Sequence, residues 1–335
     1  MIDKVIISAD ELDKFTEGNT IADKAKGLLK QQMNSWKLLS DNYEQLSNVK
    51  VKEFHFDGFI VKVQFNPARI TSSSAKVDAK SIKERKCFLC VENLPEQQRG
   101  IEFNDYTILC NPFPIFPEHF TIPKISHTPQ KLLSNFAEML NLAKALSRHY
   151  SVFYNGPKCG ASAPDHMHFQ AGTKFFMPIE SDYENFIAEN KSIVTSENDY
   201  SLFTINSYLR NIIVIESSVK SKVIELFNNF YSAYEELSGN SEEPMMNVIA
   251  SFENDVWKVF IIPREKHRPD YYFAEGEDNI LLSPASVDIG GVCITPLEKD
   301  FNKITKENLE SIFKQICLTD EKFELLVKNL KQTVL

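Results

Sequence analysis

The chain has 335 residues, of which 43% are hydrophobic and 25% charged, and its formal net charge is −9. This length and composition are those of a globular protein that can bury a large core. The negative net charge disfavours nucleic-acid binding, and no apolar run reaches the roughly 18 residues that a membrane span requires. The N-terminal residues lack the charged-then-apolar pattern of a secretion signal, so we expect a cytosolic protein.

The N-terminal part of the chain is expected to be helical and to lead into a β-hairpin. Apolar residues at helical spacing predict a helix over residues 9–15 and a longer one over residues 22–46. Residues 51–65 then alternate on either side of Asp57-Gly58, which is a favoured two-residue turn between antiparallel strands. The hairpin supplies the first predicted pair of strands.

A polar run, residues 71–86, follows the hairpin and is typical of a loop that crosses the surface. Strands are predicted at residues 106–110 and 120–122. Between them, residues 111–117 contain three prolines, which cannot continue a sheet, so we expect a rigid connection. A helix with a continuous apolar stripe is predicted from about residue 129 to residue 150.

The second half of the chain repeats part of this order. Ile122–Pro129 aligns without gaps to Ile262–Pro269, and both segments have the pattern Ile-Pro-basic-x-x-His-x-Pro at the end of a predicted strand. We interpret the match as a duplicated α+β unit, whose second copy lacks Cys-x-x-Cys and His-x-His and therefore an active site. The remaining predicted elements are strands at 152–154, 209–215, 247–252, 256–262 and within 281–299, a helix at about 218–238, and two helices within 305–333.

The most informative stretch is residues 166–170, His-Met-His-Phe-Gln, in which polar and apolar side chains alternate. Such alternation is typical of a strand with one face on the core and the other face open. On a strand, His166, His168 and Gln170 share one face, whereas on a helix the two histidines would point in different directions. A run of small residues, 160–164, precedes them and lets a ligand approach the backbone closely. The stretch therefore predicts a functional site.

Cys87 and Cys90 are the two cysteines that lie close together in the sequence, and their Cys-x-x-Cys spacing supplies half of a tetrahedral zinc site. A redox pair has the same spacing, and two buried reduced cysteines without a metal are a third interpretation. If a metal binds, two histidines must complete the site. We predict His127 and His166, with His119 as the alternative to His127. A closed site of four protein ligands would be structural.

His168 is the candidate nucleophile. A neutral imidazole can attack phosphorus and later act as a leaving group, which divides one transfer into two easier steps. Gln170, on the same face, can donate to a phosphate oxygen as charge develops. Ser162 and the backbone of the small-residue run can do the same. The other candidate substrate-binding residues are Arg69, Asn155, Lys158 and His119.

Several of these candidates also have a structural interpretation. Arg69, Lys158 and a further cation, Lys174, are phosphate partners or ordinary solvated surface charges. His119 contacts a substrate or belongs to a hydrogen-bonded loop. The histidines without an assigned role are His267 and, at the expected surface, His55 and His149.

The segment from Gly160 to Gln170, Gly-Ala-Ser-x-x-x-His-x-His-Phe-Gln, resembles the active-site motif of the histidine-triad (HIT) superfamily, in the branch with Gln in place of a third His. That branch contains galactose-1-phosphate uridylyltransferase, diadenosine tetraphosphate phosphorylase and the GDP-hexose phosphorylases. Residues 165–171 and 283–291 look most like the GDP-hexose phosphorylases, whereas residues 111–115 and His119-Phe120 are similar to the adenylyl-transferring members. The four predicted metal ligands fall in the order of the zinc ligands of the uridylyltransferase.

The resemblance covers roughly residues 50 to 300 and implies an α+β, HIT-like fold of two tandem halves, each with an antiparallel sheet and packed helices. The implied domains are a helical lead-in (1–49), a first half that carries the active site (50–180) and a degenerate second half with the C-terminal helices (195–335). A single chain would then supply both halves that a HIT dimer needs.

By position, the resemblance assigns the nucleophile, through a nucleotidyl-histidine intermediate, to His168 and a phosphate contact to Gln170, and it implies a structural zinc ion. One departure from the uridylyltransferases is Asp165, an additional residue before His166. We expect an enzyme that moves a nucleoside monophosphate from a nucleoside diphosphate sugar to phosphate or a sugar phosphate. The alternatives are a diadenosine tetraphosphate phosphorylase, a non-catalytic nucleotide-binding module and, more distantly, a redox protein. The expected partners are a nucleotide or nucleotide sugar and phosphate or a sugar phosphate, with neither nucleic acid nor membrane.

Overall fold

The computed structural model describes residues 2–70, 78–205, 207–239 and 242–334. Most of the strands lie in one large sheet, and three lie in a second, smaller sheet. The strands are β1 (Lys50–His55), β2 (Ile60–Phe65), β3 (Gly100–Phe103), β4 (Tyr106–Cys110), β5 (His119–Pro123), β6 (Tyr150–Asn155), β7 (His168–Thr173), β8 (Lys191–Glu197), β9 (Tyr200–Ile205), β10 (Ile212–Ser217), β11 (Met246–Glu253), β12 (Val256–Pro263) and β13 (Val292–Thr295).

Helices cover both faces of the large sheet. They are α1 (Ala9–Leu12), α2 (Ile21–Ser35), α3 (Lys37–Leu46), α4 (Ala79–Glu84), α5 (Phe136–Ala145), α6 (Pro178–Asp182), α7 (Lys220–Ser238), α8 (Asp270–Phe273), α9 (Ser286–Ile289), α10 (Glu298–Lys303), α11 (Lys306–Ile316) and α12 (Asp320–Val334). Among the helices in the described ranges, none combines the length and the apolar character that crossing a bilayer requires.

The large sheet has ten strands in the order β3-β4-β5-β7-β6-β11-β12-β10-β9-β8. This order is symmetric about the pair β6 and β11, in which Asn155 lies opposite Asn247. Each half contributes five strands, with one long helix, α5 or α7, before its last two strands. The predicted α+β fold of two tandem halves is confirmed, and the two antiparallel sheets are continuous with each other.

The eight-residue sequence match does not follow this symmetry. Ile122–Pro129 begins at the end of β5 and Ile262–Pro269 at the end of β12, whereas the sheet order relates β5 to β10 and β12 to β7. The alignment of these two segments as equivalent parts of a repeat was therefore wrong. Both segments leave the end of a strand, where proline is tolerated because it need not donate a ladder hydrogen bond. The shared pattern reflects that local requirement.

Two predicted helices are shorter in the structure. The helix predicted over residues 22–46 is divided into α2 and α3, because Trp36 has an extended backbone with φ −127° and ψ 94°. The helix predicted from about residue 129 to 150 is α5, which begins after a single 3₁₀ turn. Asn135 ends that turn, and its side chain donates to the Lys131 carbonyl at 2.8 Å. Such side-chain bonds compete with the helical backbone pattern at the start of a helix.

The predicted β-hairpin is confirmed, and Gly58 in its turn has a φ of +83°. The loop predicted over residues 71–86 lies partly outside the described residues, at 71–77. Its described part contains α4, whose first turn is capped because Asp78 accepts from the backbone N–H of Ser81 at 3.0 Å. The polar composition of this segment therefore did not distinguish a surface loop from a short capped helix.

One hydrophobic core lies between one face of the large sheet and helices α2, α3, α5, α7 and α12. Met167 and Phe169 are fully buried in it. The alternate side chains of β7 consequently face the opposite side of the sheet. Phe136 of α5 and Phe227 of α7 stack with ring centroids 3.7 Å apart, which joins the equivalent helices of the two halves.

A second core lies on the other face, under the small sheet β1-β2-β13 and the helices near the C-terminus. Strand β13 pairs in parallel with β2, and Cys293 lies opposite Val63. The strand predicted within residues 281–299 is thus confirmed. Its position brings a segment of the second half beside the hairpin of the first half.

Candidate active site and metal cluster

A cavity of about 530 Å³ opens at the start of β7. Five of the predicted site residues line it, and they are Arg69, Asn155, Ser162, His168 and Gln170. Their sequence positions span about a hundred residues, and the fold of the large sheet brings them together. The volume is within the usual range for sites that bind small molecules and cofactors.

Burial and hydrogen bonds determine the protonation state and the tautomer of His168. The residue is 3% exposed, and its Nδ1–H donates to the His166 carbonyl oxygen at 2.8 Å. Gln130 holds the His168 backbone from both sides, since its side chain accepts from the N–H at 2.8 Å and donates to the carbonyl at 3.0 Å. Burial lowers the pKa of His168 to about 4. The imidazole is therefore neutral near pH 7, with the Nε2 lone pair available to a ligand.

Gln170 is oriented by His119, which lies on the neighbouring strand β5. The Ile115 N–H donates to His119 Nδ1 at 3.3 Å, so the proton of the neutral ring is on Nε2, which donates to Gln170 Oε1 at 3.0 Å. Burial lowers the pKa of His119 to about 3. Because the Gln170 oxygen accepts this bond, its amide N–H groups are the ones left for a ligand. His119 thus orients Gln170 from outside the cavity lining.

The small-residue run forms a loop beside His168. Gly160 has a φ of +94°, and a Cβ at this position would lie 2.5 Å from the Cβ of Ala285. Asn155, at the end of β6, also contacts the second half, because its Oδ1 accepts from Asn247 Nδ2 at 2.9 Å and from the Ser286 N–H at 2.8 Å. The first-half loop is therefore pressed against backbone of the second half.

Three arginines, Arg69, Arg85 and Arg268, line the cavity, and Asp288 is the one carboxylate among the described lining residues. Arg69 Nη1 donates to the Phe113 carbonyl at 2.8 Å, and burial lowers its pKa to about 10. Burial also raises the pKa of Asp288 to about 6. In a protein of net charge −9, this cavity is locally positive and suits an anionic ligand.

Two predicted phosphate cations are not brought into the cavity. The Lys158 side chain is 61% exposed and pairs with Glu242. Lys174 Nζ donates to Glu253 at 3.0 Å. Both ammonium groups already have acidic partners, and the structure does not bring Lys158 together with the other predicted substrate contacts.

The remaining histidines also have defined places. His55 is exposed, as predicted. His149, which was predicted to lie at the surface, is half-buried, and its Nε2 lies 3.1 Å from Asp23 Oδ1. His267, which was assigned no role, lines the cavity, where burial lowers its pKa to about 4.

Cys87, Cys90, His127 and His166 form a cluster whose ligand atoms all lie within 4.8 Å of one another. The Cys87 Sγ is 3.2 Å from His166 Nδ1, and the Cys90 Sγ is 3.1 Å from His127 Nδ1. The four residues come from the segment after α4, the segment after β5 and the bend before β7. These are the four predicted metal ligands, and together they can hold a metal ion. The alternative ligand, His119, lies outside the cluster.

The neighbours of the cluster orient its histidines. His166 Nε2–H donates to the Lys124 carbonyl at 2.7 Å, which directs the Nδ1 lone pair towards the cysteines. Strand β7 begins only at His168, so the prediction that His166 lies on the same strand face as His168 was wrong. The additional residue Asp165 accepts from Arg85 Nη2 at 2.9 Å and lies 3.8 Å from His127 Nε2. It therefore ties the cysteine segment to the loop beside His168.

The comparisons with known proteins agree with this architecture. Residues 28–173 match the family described as a domain of unknown function, DUF4922, and residues 186–335 match the family described as the GDPGP1-like C-terminal domain. No curated protein matches the sequence.

Two solved structures of yeast Ap4A phosphorylase Apa2 resemble the chain. The complex with AMP has a TM-score of 0.54 at 17% identity and covers 86% of this chain and 96% of Apa2. The complex with Ap4A has a TM-score of 0.56 at 15% identity and covers 85% and 98%. The predicted resemblance is confirmed. This chain has the HIT-like fold of Ap4A phosphorylase Apa2.

Within this HIT-like fold, sequence reasoning missed several cavity residues. Arg85 has a weak signal, since it stands two residues before Cys87. Arg268 follows the His267 of the eight-residue match, and Asp288 lies in the segment that resembles the GDP-hexose phosphorylases. Each of these signals is weak by itself, and a second half without the His-x-His motif is not expected to carry site residues.

Proposed function

We propose that the protein is a nucleotidyltransferase of the phosphorylase type. It moves a nucleoside monophosphate from a nucleoside diphosphate sugar to phosphate or a sugar phosphate, through a nucleotidyl-histidine intermediate on His168. The observation that carries the proposal is the protonation state and position of His168. Its buried imidazole is neutral, the Nδ1–H is held by the His166 carbonyl, and the side chain lines an electropositive cavity. The confirmed HIT-like fold supports activity of this general class.

In the first step, the Nε2 lone pair of His168 attacks the α-phosphorus of the donor. A P–N bond forms, the P–O bond to the sugar phosphate breaks, and the sugar phosphate leaves with that electron pair. In the second step an oxygen of the acceptor phosphate attacks the same phosphorus, the P–N bond breaks, and His168 regains its lone pair. The Gln170 amide donates to the phosphoryl oxygen on which charge develops.

A second candidate is an Ap4A phosphorylase. It is favoured by the similarity to yeast Apa2, whose structures contain AMP and Ap4A. Both candidates use the same two steps and differ in the donor and in the base. The donor must therefore be identified by experiment.

The test is intact-protein mass spectrometry after incubation with UDP-, GDP- and ADP-sugars and with Ap4A. We expect the wild type to gain the mass of one nucleoside monophosphate from one of these donors, and His168→Ala to gain none while it still binds the nucleotide. His55→Ala is the matched control, because His55 is an exposed histidine that does not line the cavity. An adduct on His168→Ala would exclude His168 as the nucleophile.

The donor that produces the adduct distinguishes the two candidates and identifies the base. Absence of both an adduct and turnover with added phosphate, for every donor, would overturn the enzymatic proposal. The protein would then be a non-catalytic nucleotide-binding module.

We also propose that the metal of the cluster is zinc. Two thiolates and two imidazoles are the donor set of structural zinc sites, and in a tetrahedral zinc site neighbouring ligand atoms lie about 3.3–3.8 Å apart. The separations of 3.1, 3.2 and 3.6 Å between sulfur and nitrogen atoms are close to this range. With four protein ligands the zinc would brace the loop before β7 and take no part in the chemistry.

The zinc proposal is tested by metal analysis of chelator-washed protein. We expect about one zinc per chain in the wild type, loss of the metal in Cys87→Ser, and retention in Cys317→Ser, which removes a buried thiol outside the cluster. A metal-free wild type with unchanged thermal stability would contradict it.

A further inference from the structure

The second half of the chain supplies its own wall of the cavity, although it lacks the His-x-His motif. His267, Arg268, Ser283 and Asp288 line the cavity from this half. His267 and Arg268 belong to the turn after β12, Ser283 to the segment that leads into α9, and Asp288 to α9 itself. None of them is used by the reaction steps described above, so their presence in the cavity requires an explanation.

This wall is built around Arg264, a buried residue that does not line the cavity. Its Nη2 donates to the carbonyls of Lys266 and His267, both at 3.0 Å, and its Nη1 donates to the Pro284 carbonyl at 3.2 Å. Arg264 is 2% exposed. One buried guanidinium therefore holds together the two segments that carry Arg268 and Ser283, and so pre-organises the wall.

Within the wall, Ser283 and Tyr272 help to orient Arg268. Its Nε donates to Ser283 Oγ at 2.9 Å, and its guanidinium lies 4.1 Å from the centre of the Tyr272 ring. A planar guanidinium can bind a phosphate through its N–H groups. The neighbouring His267 carries no charge near pH 7, because burial lowers its pKa, and it can still donate or accept a hydrogen bond.

The other two arginines of the cavity are bound to loops of the first half. Arg69 Nη1 donates to the Phe113 carbonyl, and Arg85 Nη2 donates to the Ser162 carbonyl and to Asp165. Arg268 is the arginine that the second half adds, on a wall separate from the strand that carries His168. Displacement at phosphorus is in line, so the nucleophile and the leaving oxygen need groups on different sides of the phosphorus.

We propose that Arg268, positioned by Ser283 and accompanied by His267, forms the subsite for the phosphate group that leaves the donor and for the phosphate that later accepts the nucleotide. The inference rests on the proposed function and makes it more specific, because it assigns the acceptor to a second-half subsite. The same subsite serves both steps, since the second displacement is the reverse of the first with a different phosphate. The subsite takes a phosphate monoester dianion or inorganic phosphate.

The experiment isolates the second step. The nucleotidyl-enzyme is prepared, freed of donor, and then mixed with buffer alone or with increasing inorganic phosphate, while intact mass reports the loss of the nucleotide. We expect Arg268→Gln to need at least about 30-fold more phosphate than the wild type for half-maximal discharge. Arg268→Lys retains the charge without the bond to Ser283, so its phosphate requirement should lie between those of the wild type and Arg268→Gln.

Lys266→Gln is the matched control. It removes one positive charge from the same turn, but the Lys266 side chain is half-exposed, pairs with Asp270 at 3.1 Å and does not line the cavity. We expect it to discharge with the phosphate dependence of the wild type. If Arg268→Gln discharges at wild-type phosphate concentrations, or if Lys266→Gln is impaired to the same extent, the subsite is not at Arg268.

Titration calorimetry with inorganic phosphate on the unmodified protein separates this inference from the proposed function. Phosphate binding that is lost in Arg268→Gln and retained in Lys266→Gln would support the subsite even if no nucleotidyl-enzyme forms, in which case the proposed function fails alone. Equal phosphate affinity in the wild type and Arg268→Gln would overturn the subsite. Arg268→Lys serves the same comparison if Arg268→Gln does not fold.

Discussion

His119 and His168 are both buried imidazoles with lowered pKa values, and their hydrogen bonds separate their roles. Both ring nitrogens of His119 are used, one by the Ile115 N–H and one by Gln170. His168 uses only Nδ1 within the described residues, so its Nε2 remains for a ligand. Of the two interpretations that the sequence left open for His119, these contacts favour the structural, hydrogen-bonded one.

Glu180 is a buried carboxyl whose ionisation should be visible in the pH dependence of stability. Burial raises its pKa to about 7 from an ordinary value of 4.5, one oxygen accepts from Ser151, and the other has no partner among the described residues. Between these two pH values the folded state holds a proton that the unfolded state has lost, so stability falls as the pH rises through this window.

We expect the free energy of unfolding to fall by up to about 3 kcal/mol more between pH 5 and pH 8 in the wild type than in Glu180→Gln, which cannot titrate. Denaturant unfolding at several pH values measures the difference. Parallel pH profiles for the two proteins would mean that Glu180 ionises at its ordinary pKa when folded.

At the scale of elements, the loop before β7 depends on a glycine rather than on a regular structure. Gly160 has a positive φ and no room for a side chain, because Ala285 Cα and Cβ would lie 3.0 and 2.5 Å from an added Cβ. Gly276 also has a positive φ, of +62°, but an added Cβ there would meet nothing within 4 Å. The two glycines share the backbone requirement and differ in the space around them.

We expect Gly160→Ala to lower the free energy of unfolding by about 3 kcal/mol or more and to reduce adduct formation sharply, since it forces the loop away from the second half. Gly276→Ala should cost about 1 kcal/mol, for the backbone strain alone. Thermal unfolding and the mass assay measure both effects. Equal losses for the two variants would show that the contact with Ala285 is unimportant.

At the scale of the whole molecule, a buried polar network joins the two halves behind the cavity. Asn247 is fully buried, and its Nδ2 donates to Asn155 Oδ1 and the Cys159 carbonyl, both at 2.9 Å. Its Oδ1 accepts from Arg264. One side chain of the second half therefore supports Asn155 and the loop beside His168, and also the arginine that holds the opposite wall.

We expect Asn247→Ala to lower the free energy of unfolding by about 3–5 kcal/mol, because it leaves the buried Arg264 and the Cys159 carbonyl without this partner. Asn190→Ala is the control, since Asn190 is exposed and makes a local bond to the Phe186 carbonyl. Denaturant unfolding compares the two. A loss below about 1 kcal/mol for Asn247→Ala would mean that the network does not hold the halves together.

The sequence by itself determined the features that depend on local spacing. The period-two alternation in residues 166–170 placed His168 and Gln170 on the open face of a strand, because side-chain direction alternates along any strand. Asp57-Gly58 specified the hairpin turn, and the apolar stripes located the long helices approximately. The four cluster residues were also identified, from spacing and from the resemblance in their order.

Only the tertiary structure decided which distant segments meet. Arg85, Arg268 and Asp288 enter the cavity, and Lys158 does not, because of strand order and loop packing that no local pattern encodes. Likewise, the eight-residue match paired β5 with β12, which do not occupy equivalent positions in the two halves of the sheet. Local periodicity reports the direction of a side chain within its own element, whereas membership of a site depends on contacts between elements far apart in the chain.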